Sequence, residues 1–137
     1  MTKATLTREQ QRAQHALKSV TQVQAKKFRD EYKSYAESLP ANIVINGLGQ
    51  ACAMLLAQAG GENDAHRLLY DHLQDWLCGA EHAAVYPNDK DLVKAVINHG
   101  QREYVRAQFE SLAYLNWLKK FAQAYLTGEE KQHGEAK

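Results

Sequence analysis

Hydrophobic and polar positions along the chain repeat with the period of α-helices, and no useful run alternates as a strand does. Thr7, followed three residues later by Gln10, fits the capping box of a helix N-terminus. Neither glycine nor proline interrupts residues 7–39. We therefore predict either one long helix over this stretch or two helices separated near 21–24. Its apolar side would comprise Leu17, Val20, Phe28, Tyr35 and Leu39.

A nearly all-apolar helix is predicted next, over residues 39–59, with Ser38 as its N-cap and Pro40 in its first turn. Gly47 and Gly49 fall inside this helix, where each costs about 1 kcal/mol relative to alanine. Such a cost needs a compensation, and we expect the close approach of another helix or of a ligand backbone.

Three more helices complete the prediction: Asn63 caps one that ends at Cys78, a short one spans 89–99, and a long one spans 101–127 before Gly128. The second half of the last helix is apolar on nearly every side, which is typical of a helix at the centre of a bundle or under an interface. The fold class is therefore all-α, a single-domain bundle of about five to six helices over residues 1–128. Residues 129–137 form a polar tail that we expect to be disordered.

The composition fits this picture, because 137 residues with 45% hydrophobic and 24% charged positions suffice for one domain with a core. The N-terminus lacks an apolar signal region, and no run of 18 apolar residues occurs, so we expect neither secretion nor a membrane span. Cys52 and Cys78 lie within apolar patterns and are predicted to be buried free thiols, which suits a cytoplasmic setting.

Charge is distributed unevenly along the chain although its net value is only +1. Residues 1–33 carry eight Lys/Arg against three Asp/Glu, and residues 34–100 carry three against eight. On a continuous N-terminal helix the basic side chains, with His15 among them, form a row about 40 Å long opposite the apolar side. Such a single-sign row fits a phosphate backbone, while an acidic protein partner or an idle solvated face are the alternatives.

Other candidate chemistry in the sequence is weak. The fragment Cys78-x3-His82 lacks the second half of a zinc site, and no nucleophile or phosphate-loop motif occurs. Trp76 and Trp117 lie at apolar helical spacing and are assigned to core packing. We predict no catalytic residue, metal or cofactor. Two pairs of polar residues lie close together in sequence, His66 with His72 and Asp71 with Asp75, and we interpret both pairs as solvated surface groups.

Three ordered segments resemble a known family: LPxxIxxNGLGQA (39–51), LYxHLxxWL (69–77) and ESLAYLNWLKKFAxA (110–124). In that order they are similar to the small helical subunit of the type III-B CRISPR effector, the Cmr (RAMP module) complex. Residues 12–20 fit the family pattern more loosely, whereas residues 79–98 match nothing distinctive.

The resemblance implies an all-helical, non-catalytic RNA-interference subunit whose copies stack into a minor filament beside the backbone subunits that hold the guide RNA. Its partners would be other Cmr subunits, further copies of itself, guide RNA and target RNA, with target cleavage left to the backbone subunits. An adaptor without nucleic-acid contact and a small hydrolase with a composite metal site are the competing hypotheses. The residues that we predict to contact RNA are Arg8, Arg12, Lys18, Lys26, Lys27, Arg29 and Lys33, with Arg102 and Arg106 as weaker candidates.

Overall fold

A computed structural model describes residues 5–61, 63–79 and 84–126. It confirms an all-α, single-domain bundle, and no strand occurs in the described residues. The predicted tail 129–137, the helix stop at Gly128 and His82 lie outside them. The six helices are α1 (Arg8–Val23), α2 (Arg29–Asn46), α3 (Leu48–Gln58), α4 (Ala65–Cys78), α5 (Leu92–Asn98) and α6 (Gln101–Tyr125).

The N-terminal stretch forms two helices. The capping box is confirmed: the Thr7 hydroxyl accepts from the Gln10 amide N–H at 3.0 Å, and the Gln10 side chain accepts from the Thr7 amide N–H at 2.8 Å. α1 ends at Val23, and a tight turn over residues 24–28 leads into α2, so the alternative of one continuous helix is wrong. The turn allows both helices to pack against α6, which a single straight helix of this length would overshoot.

The boundary predicted at Ser38 is also wrong, since α2 continues through Pro40 to Asn46. The Ser38 hydroxyl does not cap a helix and instead donates back to the Tyr35 carbonyl within α2, at 3.3 Å. The break falls at Gly47, whose φ of 87° and ψ of 157° suit glycine alone. A Cβ there would lie 3.0 Å from the Tyr104 hydroxyl on α6, which confirms the expected close approach of another helix.

α6 occupies the centre of the bundle, because it contacts each of the other five helices. Its Tyr114, Leu115 and Leu118 are fully buried, which confirms the position predicted from its apolar second half. Trp76 is buried in the same core and Trp117 packs against it, as expected. Cys52 and Cys78 are buried and free, and burial raises the pKa of each thiol to about 12.

The start of α4 differs from the prediction by one residue. Asp64, not Asn63, has the extended backbone of an N-cap, and its carboxylate accepts from the amide N–H groups of His66 at 2.8 Å and Arg67 at 3.2 Å. Both residue types cap helices well, so the sequence did not distinguish them. α5 is shorter than the predicted 89–99, and Asp91 is its N-cap.

The prediction that His66 and His72 are solvated is wrong for His72, which is only 6% exposed. Its ring bridges the Tyr32 hydroxyl, 2.7 Å from Nδ1, and the Gln22 side-chain oxygen, 2.8 Å from Nε2. Burial lowers its pKa to about 4, so the ring is neutral at pH 7. His66 is also largely covered rather than solvated: its side chain is 16% exposed and stacks on Tyr35, with 3.8 Å between the ring centroids. The apolar spacing around position 72, with Leu69, Leu73 and Trp76 as neighbours, is the signal that outweighs imidazole polarity.

His72 gives the fold a defined dependence on pH. Its pKa rises from about 4 in the folded chain to the ordinary 6.5 on unfolding, so stability is full above pH 6.5 and is lost as the pH falls toward 4. We expect the stability gap between wild type and His72→Gln to narrow by about 2 kcal/mol between pH 7 and pH 4.5. Urea unfolding at several pH values measures this gap. A gap that stays constant with pH would contradict the neutral buried ring.

Gly47 provides a test of the α2–α3 junction. We expect Gly47→Ala to destabilise the fold by about 1–3 kcal/mol, because the added methyl group meets both an unfavourable backbone conformation and the Tyr104 hydroxyl. Gly49→Ala is the matched control, since its Cβ would meet Val96 at an ordinary 3.4 Å within a helix. Thermal unfolding of the two variants should separate them clearly; equal melting temperatures would argue against a strained junction.

Candidate nucleic-acid interface

The predicted single row of cations is divided, because α1 and α2 are separate helices joined by a turn. The nine predicted RNA-contact residues fall into a pair on α1, a set on α1, in the α1–α2 turn and at the start of α2, and a pair at the start of α6. These three groups differ in burial and in the acids that surround them. The groups are Arg8 with Arg12; Lys18, Lys26, Lys27, Arg29 and Lys33; and Arg102 with Arg106.

Arg12 is engaged with Glu110 of α6 through two hydrogen bonds: Nε lies 2.6 Å from Oε2 and Nη2 lies 2.9 Å from Oε1. Its Nη1 also donates to Glu9, at 2.7 Å. The Glu110 carboxylate further accepts from the Trp76 indole N–H at 3.0 Å and lies 3.9 Å from Arg8 Nε. One carboxylate therefore joins α1, α4 and α6.

The electrostatics of this cluster follow from the opposed charges. The hydrogen bond to Glu110, reinforced by Glu9, raises the pKa of Arg12 against the opposing effect of burial. Burial would raise the pKa of Glu110, but the hydrogen bonds from Arg12 and Trp76 and the nearby positive charges lower it below its ordinary value. Both groups are thus charged at neutral pH, and the positive charge of Arg12 is largely balanced within the fold.

The helical wheel placed the α1 cations on an outward face, and this is wrong for Arg12, whose side chain is 15% exposed. Leu17, assigned to the apolar side, is instead 40% exposed. The wheel failed because Glu110 stands 98 residues away in sequence, and a pattern within one helix carries no information about its neighbours. The RNA contact predicted for Arg8 and Arg12 stays a prediction.

His15 lies on the same inward side of α1. Its Nε2 is 2.6 Å from the Asp75 carboxylate on α4, and its Nδ1 is 2.7 Å from the Tyr114 hydroxyl on α6. Asp71 pairs separately with Arg67, at 3.1 Å. Asp71 and Asp75, interpreted from the sequence as solvated surface groups, thus have different partners. The described part of the chain contains no group of three or more His, Cys, Asp or Glu side chains arranged to hold a metal.

The set at the turn has a different environment. Lys26 and Lys27 lie in the α1–α2 turn, Arg29 begins α2, and Lys33 follows one helical turn later; we call these four the junction cations. Within the described residues, none of the four has a carboxylate within ion-pair distance, and neither has Lys18 on α1. Asp30 and Glu31 lie in the same stretch, so residues 26–33 carry a net charge of +2, and the described residues hold none of the four cations in an ion pair.

The junction and the Arg102–Arg106 pair lie at opposite ends of α6. The junction lies beside its C-terminal end, where the Gln24 amide donates to the Tyr125 carbonyl at 3.4 Å. Arg102 and Arg106 are exposed on its first turns, and no described acid pairs with either. Nineteen residues of helix separate Arg106 from Tyr125, which places the two cationic groups about 30 Å apart.

The fold and these surfaces define a class of protein: a small helical bundle whose candidate functional site is a cationic binding surface. Known proteins identify the family. The model of the CRISPR-associated protein family Cas_Cmr5 matches residues 8–125. The CRISPR system Cmr subunit Cmr5 of Thermus thermophilus is 31% identical over 120 residues, covering 88% of this chain and 96% of that protein. The chain belongs to the Cmr5 family, the small helical subunits of the type III-B CRISPR Cmr complex.

The structure agrees with this assignment. The crystal structure of a CRISPR-associated Cmr5 family protein from Thermus thermophilus superposes with a TM-score of 0.73 at 29% identity, covering 89% of this chain and all of that one. Among the helices of the described residues, none combines the length and apolarity that a membrane span requires.

Sequence reasoning missed Glu110 as a structural centre. The available signal was its phase on α6: it lies one helical turn before Tyr114 and one residue before Ser111, both of which are fully buried. A lone acid at that phase of a central helix needs a cationic partner. The sequence did not identify that partner, since several arginines were equally available.

Glu110→Gln tests the cluster. We expect the free energy of unfolding to fall by about 1–3 kcal/mol at pH 7, because Arg12, whose side chain is 15% exposed, loses the charge of Glu110 and keeps only that of Glu9. Since the pKa of Glu110 in the folded chain lies below its ordinary 4.5, this loss should be full at neutral pH and shrink as the pH falls below 4.5. Glu31→Gln, at an exposed position without an ion pair among the described residues, is the control. Equal stability of the two variants in urea would contradict the assigned role.

Proposed function

We propose that this chain is a non-catalytic, cytoplasmic subunit of a type III-B Cmr complex, in which it lies beside the backbone subunits that hold the guide RNA and contacts guide or target RNA. Family membership supports the setting. The observation that carries the RNA contact is the junction itself: four cations within eight residues, with no ion pair among the described residues. Catalysis is assigned to other subunits.

The chemistry of the junction suits phosphate rather than bases. Lysine ammonium groups bind phosphate as point charges and read no sequence, and Arg29 adds a forked donor at the start of α2. Sequence reading would then belong to base pairing between guide and target, while the protein contacts backbone and shape. Lys18 extends the same unpaired positive charge along α1.

The other four predicted RNA-contact residues are less favourably placed for this proposal than the junction cations. Arg8 and Arg12 lie close to the Glu110 carboxylate, which already balances part of their positive charge. A phosphate of RNA would have to compete with Glu110 for these two side chains. Arg102 and Arg106 stand about 30 Å from the α6 end beside the junction, so one strand would reach both ends only by running along the molecule. The junction cations with Lys18 are therefore the first contacts to test.

Stacking of copies into a minor filament is the second part of the proposal. Residues 1–33 carry an excess of five positive charges, while residues 34–100 carry an excess of five negative ones. A contact between the first region of one copy and the second region of the next is head-to-tail and does not close on itself. Such heterologous contacts generate open filaments.

The second candidate function is a helical adaptor without direct RNA contact. Its supporting observation is the internal balancing of Arg12, which removes part of the charge that the row was expected to offer. The two functions differ in their response to salt, because phosphate contacts release counterions and give a steep dependence of affinity on salt concentration.

Charge reversal at the junction separates them. We expect Lys26→Glu/Lys27→Glu to weaken binding of a fluorescent target RNA by the assembled complex by tenfold or more, with the logarithmic salt slope reduced by about 1–2. The control is Lys90→Glu/Lys94→Glu, which makes the same change of charge near α5. Anisotropy titrations at several salt concentrations provide the measurement.

Size-exclusion chromatography should first show that both variants enter the complex, and thermal unfolding that both remain folded. If the two variants then bind RNA with the same affinity and the same salt slope as the wild type, the adaptor function is favoured and the RNA contact at the junction is rejected.

A further inference from the structure

Exposed apolar side chains concentrate at one end of the molecule. Eight large hydrophobic residues are exposed in the described part of the chain, and five of them lie where α2 and α5 end and α6 begins. Monomeric proteins rarely leave such clusters uncovered, so this end is a candidate interaction surface. The five residues are Val44, Ile45, Ile97, Val105 and Phe109.

Phe109 is 74% exposed and borders a groove between α2 and α6. The groove has a volume of about 340 Å³ and a floor of small and apolar side chains. Its size suits one or two inserted apolar side chains rather than a folded domain. The residues that line it are Pro40, Phe109, Leu112, Ala113, Asn116 and Lys119.

α2 and α6 run antiparallel here. The Gln123 amide donates to Glu37 at one end of the pair, and the Leu48 amide N–H donates to the Gln108 side chain at the other. Val44 lies one helical turn beyond Pro40 on α2, which brings it toward the turn of α6 that carries Phe109. Val105 lies one helical turn before Phe109 on α6, so the groove, Val44, Val105 and Phe109 form one strip, which we call the α2–α6 strip.

Cationic side chains lie at both ends of this strip. With Phe109 at zero on a helical wheel, Arg102, Arg106 and Lys120 fall within about 60° of it, whereas Glu103 and Glu110 fall about 100–120° away. Glu110 is occupied by Arg12, and Lys119 lines the groove itself. The strip therefore has an apolar centre with cations at both ends, and no described acid pairs with them.

This pattern discriminates between occupants. Nucleic acid would leave the aliphatic side chains Val44 and Val105 without a matching surface, since bases stack on aromatic faces. A second copy docking the same strip through a two-fold axis would bring four cations against four cations, and the head-to-tail contact proposed above uses the cations of residues 1–33 instead. An acidic segment with an apolar anchor matches both the groove and its charged ends.

We propose that the α2–α6 strip docks an acidic segment of a different subunit of the Cmr complex, with an apolar side chain of that segment in the groove beside Phe109. The identity of the partner as a Cmr subunit rests on the proposed function; the chemistry of the segment does not. Arg102 and Arg106 are then contacts to protein rather than to RNA.

Site-specific crosslinking tests the proposal in the assembled complex. Phe109 is replaced by the photoreactive analogue p-benzoylphenylalanine, and the crosslinked peptide is identified by mass spectrometry after irradiation. We expect a crosslink to another subunit, at a segment with Asp or Glu within a few residues of the attachment point. A crosslink to RNA, to another copy of this chain or to a segment without acids would overturn the proposal, as would no crosslink at all.

A competition assay adds a quantitative readout. Phe109→Asp should lower incorporation into the complex by tenfold or more against wild type, while Leu17→Asp, the same kind of change at an exposed position on α1, should not. Both should melt close to the wild type, since both sites are exposed. Equal incorporation of the two variants would reject the strip as a docking surface. RNA binding is scored separately, in the assembled complex that carries Lys26→Glu/Lys27→Glu, so a failed RNA contact and a failed docking contact are distinguishable.

Discussion

The Glu110 carboxylate is the interaction on which the arrangement of the bundle depends. It lies on the central helix and is held by the Arg12 guanidinium and the Trp76 indole, so α1, α4 and α6 meet at a single charged group. A partly buried carboxylate is costly unless it is paired and hydrogen-bonded, and this one is both. The same pairing withdraws Arg12 from the surface. Stability and surface charge are thus coupled: the cation that anchors α1 is no longer fully available to a polyanion.

That coupling changes which part of the N-terminal region is open to partners. A basic row along one helix would present a straight edge, whereas the observed turn at residues 24–28 gathers four cations at a corner of the bundle. At the opposite end, the cations lie near exposed aliphatic and aromatic side chains. The molecule consequently has two ends of different chemistry, one suited to phosphate and one suited to an acidic protein segment.

Local sequence signals determined much of the fold correctly. The capping box at Thr7, the central position of α6 and the burial of Trp76 all follow from spacing within one helix. The failures share a physical cause. His72 is buried because Tyr32 and Gln22 satisfy it from other helices, and Ser38 does not cap a helix because α2 continues past it. The break at Gly47 depends on Tyr104, which is distant in sequence. Contacts between helices were therefore the part that periodicity could not provide, and the burial of Arg12 belongs with them.

The separation of positive and negative regions on a chain of net charge +1 has a consequence for how it meets a polyanion. At physiological ionic strength the field of a charge decays within about 8 Å, so an approaching strand experiences an almost neutral particle until it is nearly in contact. Long-range steering is therefore weak. In the proposed function, the junction cations would contact a strand that other components hold at that corner, where a high local concentration replaces intrinsic affinity. Under the proposed function, we therefore expect the free subunit to bind bulk RNA weakly and to contact RNA only within the assembled complex.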